Sequence, residues 1–311
     1  MAAVETAPPY VRKDGRQATE LRSKQIKLSE LYHCSGSCLY SQGSSSVLAA
    51  IHGPSQQQQG GGAGSQQNNH TAYTSDHRCC ASGEERCEVV VRLQHAAANR
   101  SAPAGGAEKL LHAQKEKSTR HRVDAQELLP LVHNSVLSVF MTELFPRQVL
   151  TVDVFILETD GSVASVCVNS VMAALLDSGL PCRTTVAAVS VSVMLPPPSA
   201  ASLQQQQQQE MVLWLDTTAE EESGASPAAG FHTVCVGTFI FANPNSGGGL
   251  VGSHLKPTTT CYPPLTTSAN GSAAAAPVVS TDVFLSMLQL AEKASPLLFQ
   301  FFRNCNEPLE Q

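Results

Sequence analysis

Ten cysteines and ten histidines give this 311-residue chain the donors for a metal site. Cys79, Cys80 and Cys87 fall near His70 and His77. Thiolate with imidazole is a donor set that zinc takes. The spacing C-C-x6-C fits no common zinc pattern, however, and the segment is embedded in low-complexity sequence, so it reads as an incidental cysteine-rich loop. Cys34 and Cys38 span a turn and a strand start, which suits partly buried thiols better than a metal pair. Nucleophilic hydrolysis has its residue types but not their arrangement: the histidines are scattered, and none accompanies a Gly-x-Ser-x-Gly elbow. Gly60-Gly61-Gly62-Ala63-Gly64 lacks the Lys-Ser/Thr of a phosphate loop and has glutamines for neighbours. Glu220, Glu221 and Glu222 read as a solvated helix start favoured by the helix dipole. Basic side chains gather as Arg86, Arg92 and Arg100, then as Lys115, Lys117, Arg120, His121 and Arg122. Such a run either draws in nucleic-acid phosphates by counterion release or is an ordinary solvated charge run. No metal and no cofactor is expected.

Composition narrows the function classes. A net charge of −6 argues against an autonomous nucleic-acid binder, which would be basic, and leaves open a local contact inside an assembly. No run of 18 apolar residues exists, so no transmembrane helix and no membrane partner is expected. Residues 1–20 carry charges and no apolar stretch, so a secretory signal is not expected and the thiols should be reduced, in cytosol or nucleus.

The groups that could do chemistry must be positioned by a modest set of elements. Residues 1–11 read as a flexible tail, and residues 12–311 as one domain with low-complexity inserts near 55–87, 96–120, 196–209 and 244–278. Without the inserts, roughly 210–230 residues remain, an ordinary domain size. Strands are expected at 25–31, 38–41 and 47–51, broken by Gly36 and Gly43 and stopped by Gly53-Pro54, with another at 88–93. Leu128, Leu131, Val132, Ser135, Val136, Val139 and Phe140 recur at helical spacing within 124–144, with Pro130 in or just beyond the first turn. Next come a strand at 149–158, a tight Asp160-Gly161 turn and a small-residue helix at 163–177 that stops at Gly179-Leu180-Pro181. A strand or strand pair at 183–194 and strands at 211–215 and 233–241 follow, the last two flanking an acidic connection. A helix at 282–302, capped by Thr281 or Ser280, ends the chain. The order ββββ-α-β-α-ββ-β-α is α+β with mixed sheets.

Four stretches in register resemble the ribonuclease PH family. They are Arg12-Lys13-Asp14-Gly15-Arg16 with Glu20-Leu21-Arg22, the run from Gly36-Ser37-Cys38 to Gly53-Pro54, the strand-turn-helix from Asp153 to Pro181, and Leu215-Asp216-Thr217-Thr218-Ala219-Glu220-Glu221-Glu222. The resemblance covers the chain apart from its inserts. It implies the ribonuclease PH-like fold (ribosomal protein S5 domain 2-like) and the lineage of RNA exosome ring subunits. It further implies a hetero-hexameric ring of similar subunits threading RNA, with S1/KH cap subunits and a hydrolytic exoribonuclease as partners. Nucleus, nucleolus and cytoplasm are the implied locations, and rRNA maturation and mRNA turnover the implied processes. Loops carrying the basic residues Arg86, Arg92, Lys115, Lys117, Arg120 and Arg122 would then line the pore.

The same resemblance bears on catalysis. Family phosphorolysis needs guanidinium groups to grip phosphate bidentately and a carboxylate to hold a metal or move a proton. Active relatives place Gly-Thr-Arg after the turn; here the stretch is Ser162-Val163-Ala164, with Ala164 in the arginine's place. A second family arginine aligns with Asn134 or Leu137, and 123–146 contains no arginine before Arg147. Asp216 and Glu222 match the family's acidic pair, six residues apart. The expectation is no catalytic residue, hence a structural subunit. An active phosphate-dependent 3′-to-5′ exoribonuclease is the alternative, and a scaffold outside any exosome a third reading.

Overall fold

The computed structural model describes residues 12–56, 71–74, 86–96, 127–195, 211–223, 231–258 and 280–306. Period-two patterning produces an opening meander: β1 (Lys24–Leu28), β2 (Gly36–Gln42) and β3 (Ser45–Gln56) run antiparallel. β3 does not stop at Gly53-Pro54. A register shift between His52 and Ser55 carries it past the proline, and Gly53 takes the positive φ of 96° that the bulge requires. β4 (Thr71–Thr74) pairs with β5 (Glu88–His95). It falls in the insert near 55–87 that the sequence presented as loop.

Helix α1 spans 127–139 among the described residues, and any start nearer Asp124 lies outside them. It ends five residues earlier than its periodicity suggested. Phe140 bridges to Cys182, the Met141 amide donates to the Pro181 carbonyl, and Thr142–Leu144 coils into a 3-10 turn. The tighter turn brings the chain back as β6 (Gln148–Glu158), parallel to β5. A parallel pair needs a crossover, and α1 supplies it. The six-stranded sheet has the order β1-β2-β3-β6-β5-β4.

α2 (Val163–Asp177) occupies the span its sequence indicated. Residues 165–175 are all buried, because α2 lies between β2 and β3 on one side and β7 (Val186–Leu195) on the other. Asn169 ties helix to strand: its side chain donates to the Ala188 carbonyl at 3.0 Å and accepts from the Ala188 amide at 2.8 Å. β7 is one strand, not a pair, and every residue in it is buried. β8 (Val212–Leu215), the short helix α3 (Ala219–Glu222), β9 (His232–Ala242) and β10 (Leu250–Pro257) follow. The four-stranded sheet runs β10-β9-β7-β8. β10 is a second strand inside an expected insert, the one near 244–278. α4 (Thr281–Asn306) packs on β7 and β9, with the Ser280 hydroxyl accepting from the Val283 amide at its start. The architecture is α+β with one mixed and one antiparallel sheet, as the element order implied.

Candidate functional site

Two structures grow from the Asp160–Gly161 turn between β6 and α2. One is a charged bolt. The Asp216 carboxylate is fully buried and accepts from the Arg22 amide at 2.8 Å, from Arg22 Nε at 3.0 Å and from Arg22 Nη2 at 2.7 Å. Arg22 Nη1 donates to the Asp160 carbonyl at 2.5 Å. Burial alone would raise the Asp216 pKa, but the hydrogen bonds and charge of Arg22 outweigh it and hold the carboxyl below its ordinary range. Burial likewise works against the charge on Arg22, and Asp216 more than restores it. The rest of the opening motif joins the bolt. Arg12 Nη2 donates to the Leu215 carbonyl at 2.6 Å, and the guanidinium lies 5.0 Å from the Trp214 ring centroid. Burial lowers the Arg12 pKa, with Glu221 working the other way. Arg16 donates to the Asp216 carbonyl at 3.2 Å and to Asp14 at 2.5 Å.

The other structure is a cleft of about 220 Å³ at the head of α2, between the two sheets. Its walls include Leu93, Leu128, Ile156, Val163, Ala164 and Val236. Its polar groups are Glu127, Thr159, Ser162, Ser190, Glu222, Thr238, His95, His254 and Lys256. Ser162 sits before α2 with a φ of 51°, and its amide donates to Glu222 Oε1 at 2.6 Å. Thr217 Oγ1 donates to the same oxygen at 3.2 Å. A carboxylate at a helix start is favoured by the dipole. Burial nevertheless wins and raises the Glu222 pKa, the Ser162 and Thr217 hydrogen bonds opposing it. Gly161 is obligatory between bolt and cleft: φ is +74°, and a Cβ there would meet the Thr217 carbonyl oxygen at 2.3 Å.

The acidic helix start is therefore not a solvated run. Only Glu220 faces solvent, 2.7 Å from Lys13. Glu221 is buried and closes a capping box with Thr218, while Glu222 turns into the cleft. Ala164 and Glu222 share the cleft; Asp216 does not line it. The sequence pairing of Asp216 with Glu222 thus splits into one structural and one cleft carboxylate. Neither Asn134 nor Leu137 lines the cleft. Arg86 and Arg92 are exposed, Arg92 lying 4.0 Å from Asp153 and away from the cleft. Lys115, Lys117, Arg120 and Arg122 lie outside the described residues, as do Cys79, Cys80, His70 and His77. Cys87 is buried, its thiol pushed up to about 11 by burial, and Cys38 is pushed up to about 12. Among the described residues, no three His, Cys, Asp or Glu side chains gather as a metal site. The sequence reading missed His254 and Lys256 because it missed β10, and missed Arg22 as the partner of Asp216. The one available signal for the latter was the arginine closing the opening motif.

Residues 20–181, just over half of the chain, match the family described as 3′ exoribonuclease family, domain 1, the RNase PH domain. The chain belongs to this family. The match contains the meander, β5, α1, β6 and α2, so the turn and the head of the cleft lie inside it. Among curated relatives of this RNase PH chain is a putative exosome complex component RRP41 of Caenorhabditis elegans. It is 25% identical over 224 residues, 72% of this chain and 74% of the relative. Rice (Oryza sativa) Rrp46 superposes with a TM-score of 0.59 at 18% identity, covering 94% of this chain and 98% of that one. An Archaeoglobus fulgidus exosome chain, from a structure with RNA bound to the active site, gives a TM-score of 0.55 at 13% identity, covering 94% and 92%. At these identities the structural likeness establishes the RNase PH-like fold.

Proposed function

We propose that this RNase PH-family chain is a non-catalytic ring subunit of an RNA exosome, helping to thread RNA to associated nucleases. The relatives named as exosome components support the assembly. The observation that carries the loss of catalysis is the cleft itself. Ala164 stands one residue inside α2, and among the described residues no arginine lines the cleft. Without a planar, permanently charged fork there is no bidentate grip on phosphate. Asp216 is committed to Arg22, which leaves Glu222 as the family-position carboxylate in the cleft. In this reading the ring neighbours are other RNase PH-like subunits, and S1/KH caps and a hydrolytic exoribonuclease attach to the ring. RNA contact would come from the run Lys115–Arg122, and the chain would work in nucleus, nucleolus and cytoplasm.

One observation favours the alternative of a phosphate-dependent exoribonuclease: Lys256, His254 and His95 bring basic groups to the same cleft as Glu222. The deciding experiment incubates purified protein with oligoadenylate, magnesium and phosphate. No nucleoside diphosphate is expected. Steady release that disappears in Glu222→Ala would overturn the reading, and copurification of the tagged chain without any RNase PH-like subunit would remove the ring assignment.

A further inference from the structure

The outward face of the six-stranded sheet carries an apolar row that no described core absorbs. The register places Lys27, Leu39, Leu48, Phe155 and Gln94 side by side across β1, β2, β3, β6 and β5. Their inward neighbours Tyr40, Val47 and Ile156 are in the core, whereas Leu39, Leu48 and Phe155 are half-exposed and join neither hydrophobic cluster. Leu157 extends the row at 40% exposed.

At one end of this face stands a held loop. Between β1 and β2, the Ser29 hydroxyl donates to Asp177 at 2.8 Å and the Leu31 amide to the Ser37 hydroxyl at 2.9 Å. The Ser35 amide donates to the Ile51 carbonyl at 2.7 Å, and its hydroxyl to the Gly53 carbonyl at 2.9 Å. Ser37 shares the outward register of Leu39 yet is buried, so the loop covers that end of the sheet. At its tip Tyr32 is 95% exposed, beside Leu31 at 38%. The bonded loop holds the backbone that carries this ring, so part of the ordering that binding would otherwise cost is already made, which is the preparation of an interface anchor.

We propose that this face docks a protein partner, with the Tyr32 ring entering an apolar pocket on that partner and the Leu39–Leu48–Phe155 row forming the centre of the contact. Lys27 on the β1 side and Arg92 with Asp153 on the β5 side border an apolar middle, as polar residues border the centre of a protein interface. A nucleic acid fits poorly. The row is mainly aliphatic, Glu30 is exposed beside Tyr32, and the Arg92 guanidinium of this face already lies 4.0 Å from Asp153. A second copy paired face to face also fits poorly, because the cleft and a small crevice between α1 and α2 are lined by residues away from this face and so offer Tyr32 no pocket there. The partner surface should therefore carry an acidic group opposite Lys27 and a basic group opposite Glu30. This face is separate from the cleft, so the proposal stands or falls independently of catalytic status.

The test places a benzophenone side chain at position 32 of the full-length protein in cells, and irradiates. One dominant adduct to a different protein is expected. That protein, purified, should bind the wild-type chain, and Tyr32→Ala should weaken binding about thirtyfold or more, as loss of an anchor does. Leu48→Lys should weaken it as well, with circular dichroism checking that the fold is intact. An adduct with RNA, an adduct with the chain itself, no adduct, or a purified partner that binds Tyr32→Ala as tightly as wild type would each overturn the proposal.

Discussion

The bolt and the cleft share one turn and treat charge in opposite ways. At the bolt, Arg22 and Asp216 are buried together and every oxygen of the carboxylate has a donor. At the cleft, Glu222 is bonded only through Oε1 in the contacts described, and its pKa moves up where that of Asp216 moves down. A buried carboxylate held by two guanidinium nitrogens on one oxygen and a backbone amide on the other is a fastener. One with neutral donors on the wall of a cleft is a group still able to meet a ligand or a proton. Two acidic residues six positions apart in one motif thus have separate roles, decided by which one an arginine reaches.

The sharpest way to break this comparison is Asp216→Ala. It leaves Arg22 buried without its counter-charge and should cost about 3–5 kcal/mol, read as a fall in the urea midpoint. An unchanged midpoint would mean that the carboxylate does not hold the N-terminal segment. Gly161→Ala comes next, because it strikes the residue common to both regions. Positive φ together with contact on the Thr217 carbonyl should cost about 1–3 kcal/mol. A variant as stable as wild type would show that the turn relaxes freely.

Acid titration separates the two carboxyls by sign. Asp216 has a depressed folded pKa, so its contribution is present above the unfolded carboxylate value of about 4 and is lost as pH falls through the folded pKa. Glu222 has a raised folded pKa, so its charged form costs stability at neutral pH. The wild type recovers that cost as pH falls from the folded pKa towards the unfolded one. Glu222→Gln should therefore be more stable than wild type at pH 7, with the gap closing on acidification to about pH 4.5. A gap that widens towards acid would reverse the assignment. The smallest effect is expected from Ala164→Arg. The side chain opens onto the cleft, so solubility and melting should hold, and phosphorolysis should stay absent because no second arginine lines the walls among the described residues. Release of nucleoside diphosphate by this variant would show that one guanidinium suffices.

Legibility in the sequence followed burial. α2 and β6 could be bounded because their apolar residues run continuously or alternate cleanly between a turn and a Gly-Leu-Pro stop. β10 could not. It is an edge strand with five of its eight residues exposed and a bulge at Leu250/Gly252, set among glycines and threonines, so little apolar pattern marks it. β4 vanished into the glutamine-rich insert for want of length. The cleft was half legible: Ala164 and Glu222 came from the motif, whereas His254 and Lys256 came from the unseen strand. The division of labour between Asp216 and Glu222 was beyond the sequence, because it depends on an arginine 194 residues away.

That separation has a consequence for synthesis. The first meander pairs strands that are neighbours in the chain and can form soon after leaving the ribosome. Arg22 must nevertheless wait for a carboxylate translated 194 residues later. At about 5–20 residues per second, that is roughly 10–40 s during which Arg22 lacks this counter-charge. The nascent chain is then a half-built sheet trailing a loose cationic end, the stage at which chaperones or an early partner would find it most receptive. Closing the Arg22–Asp216 contact then ties the segment before β1 to the end of β8, in the other sheet.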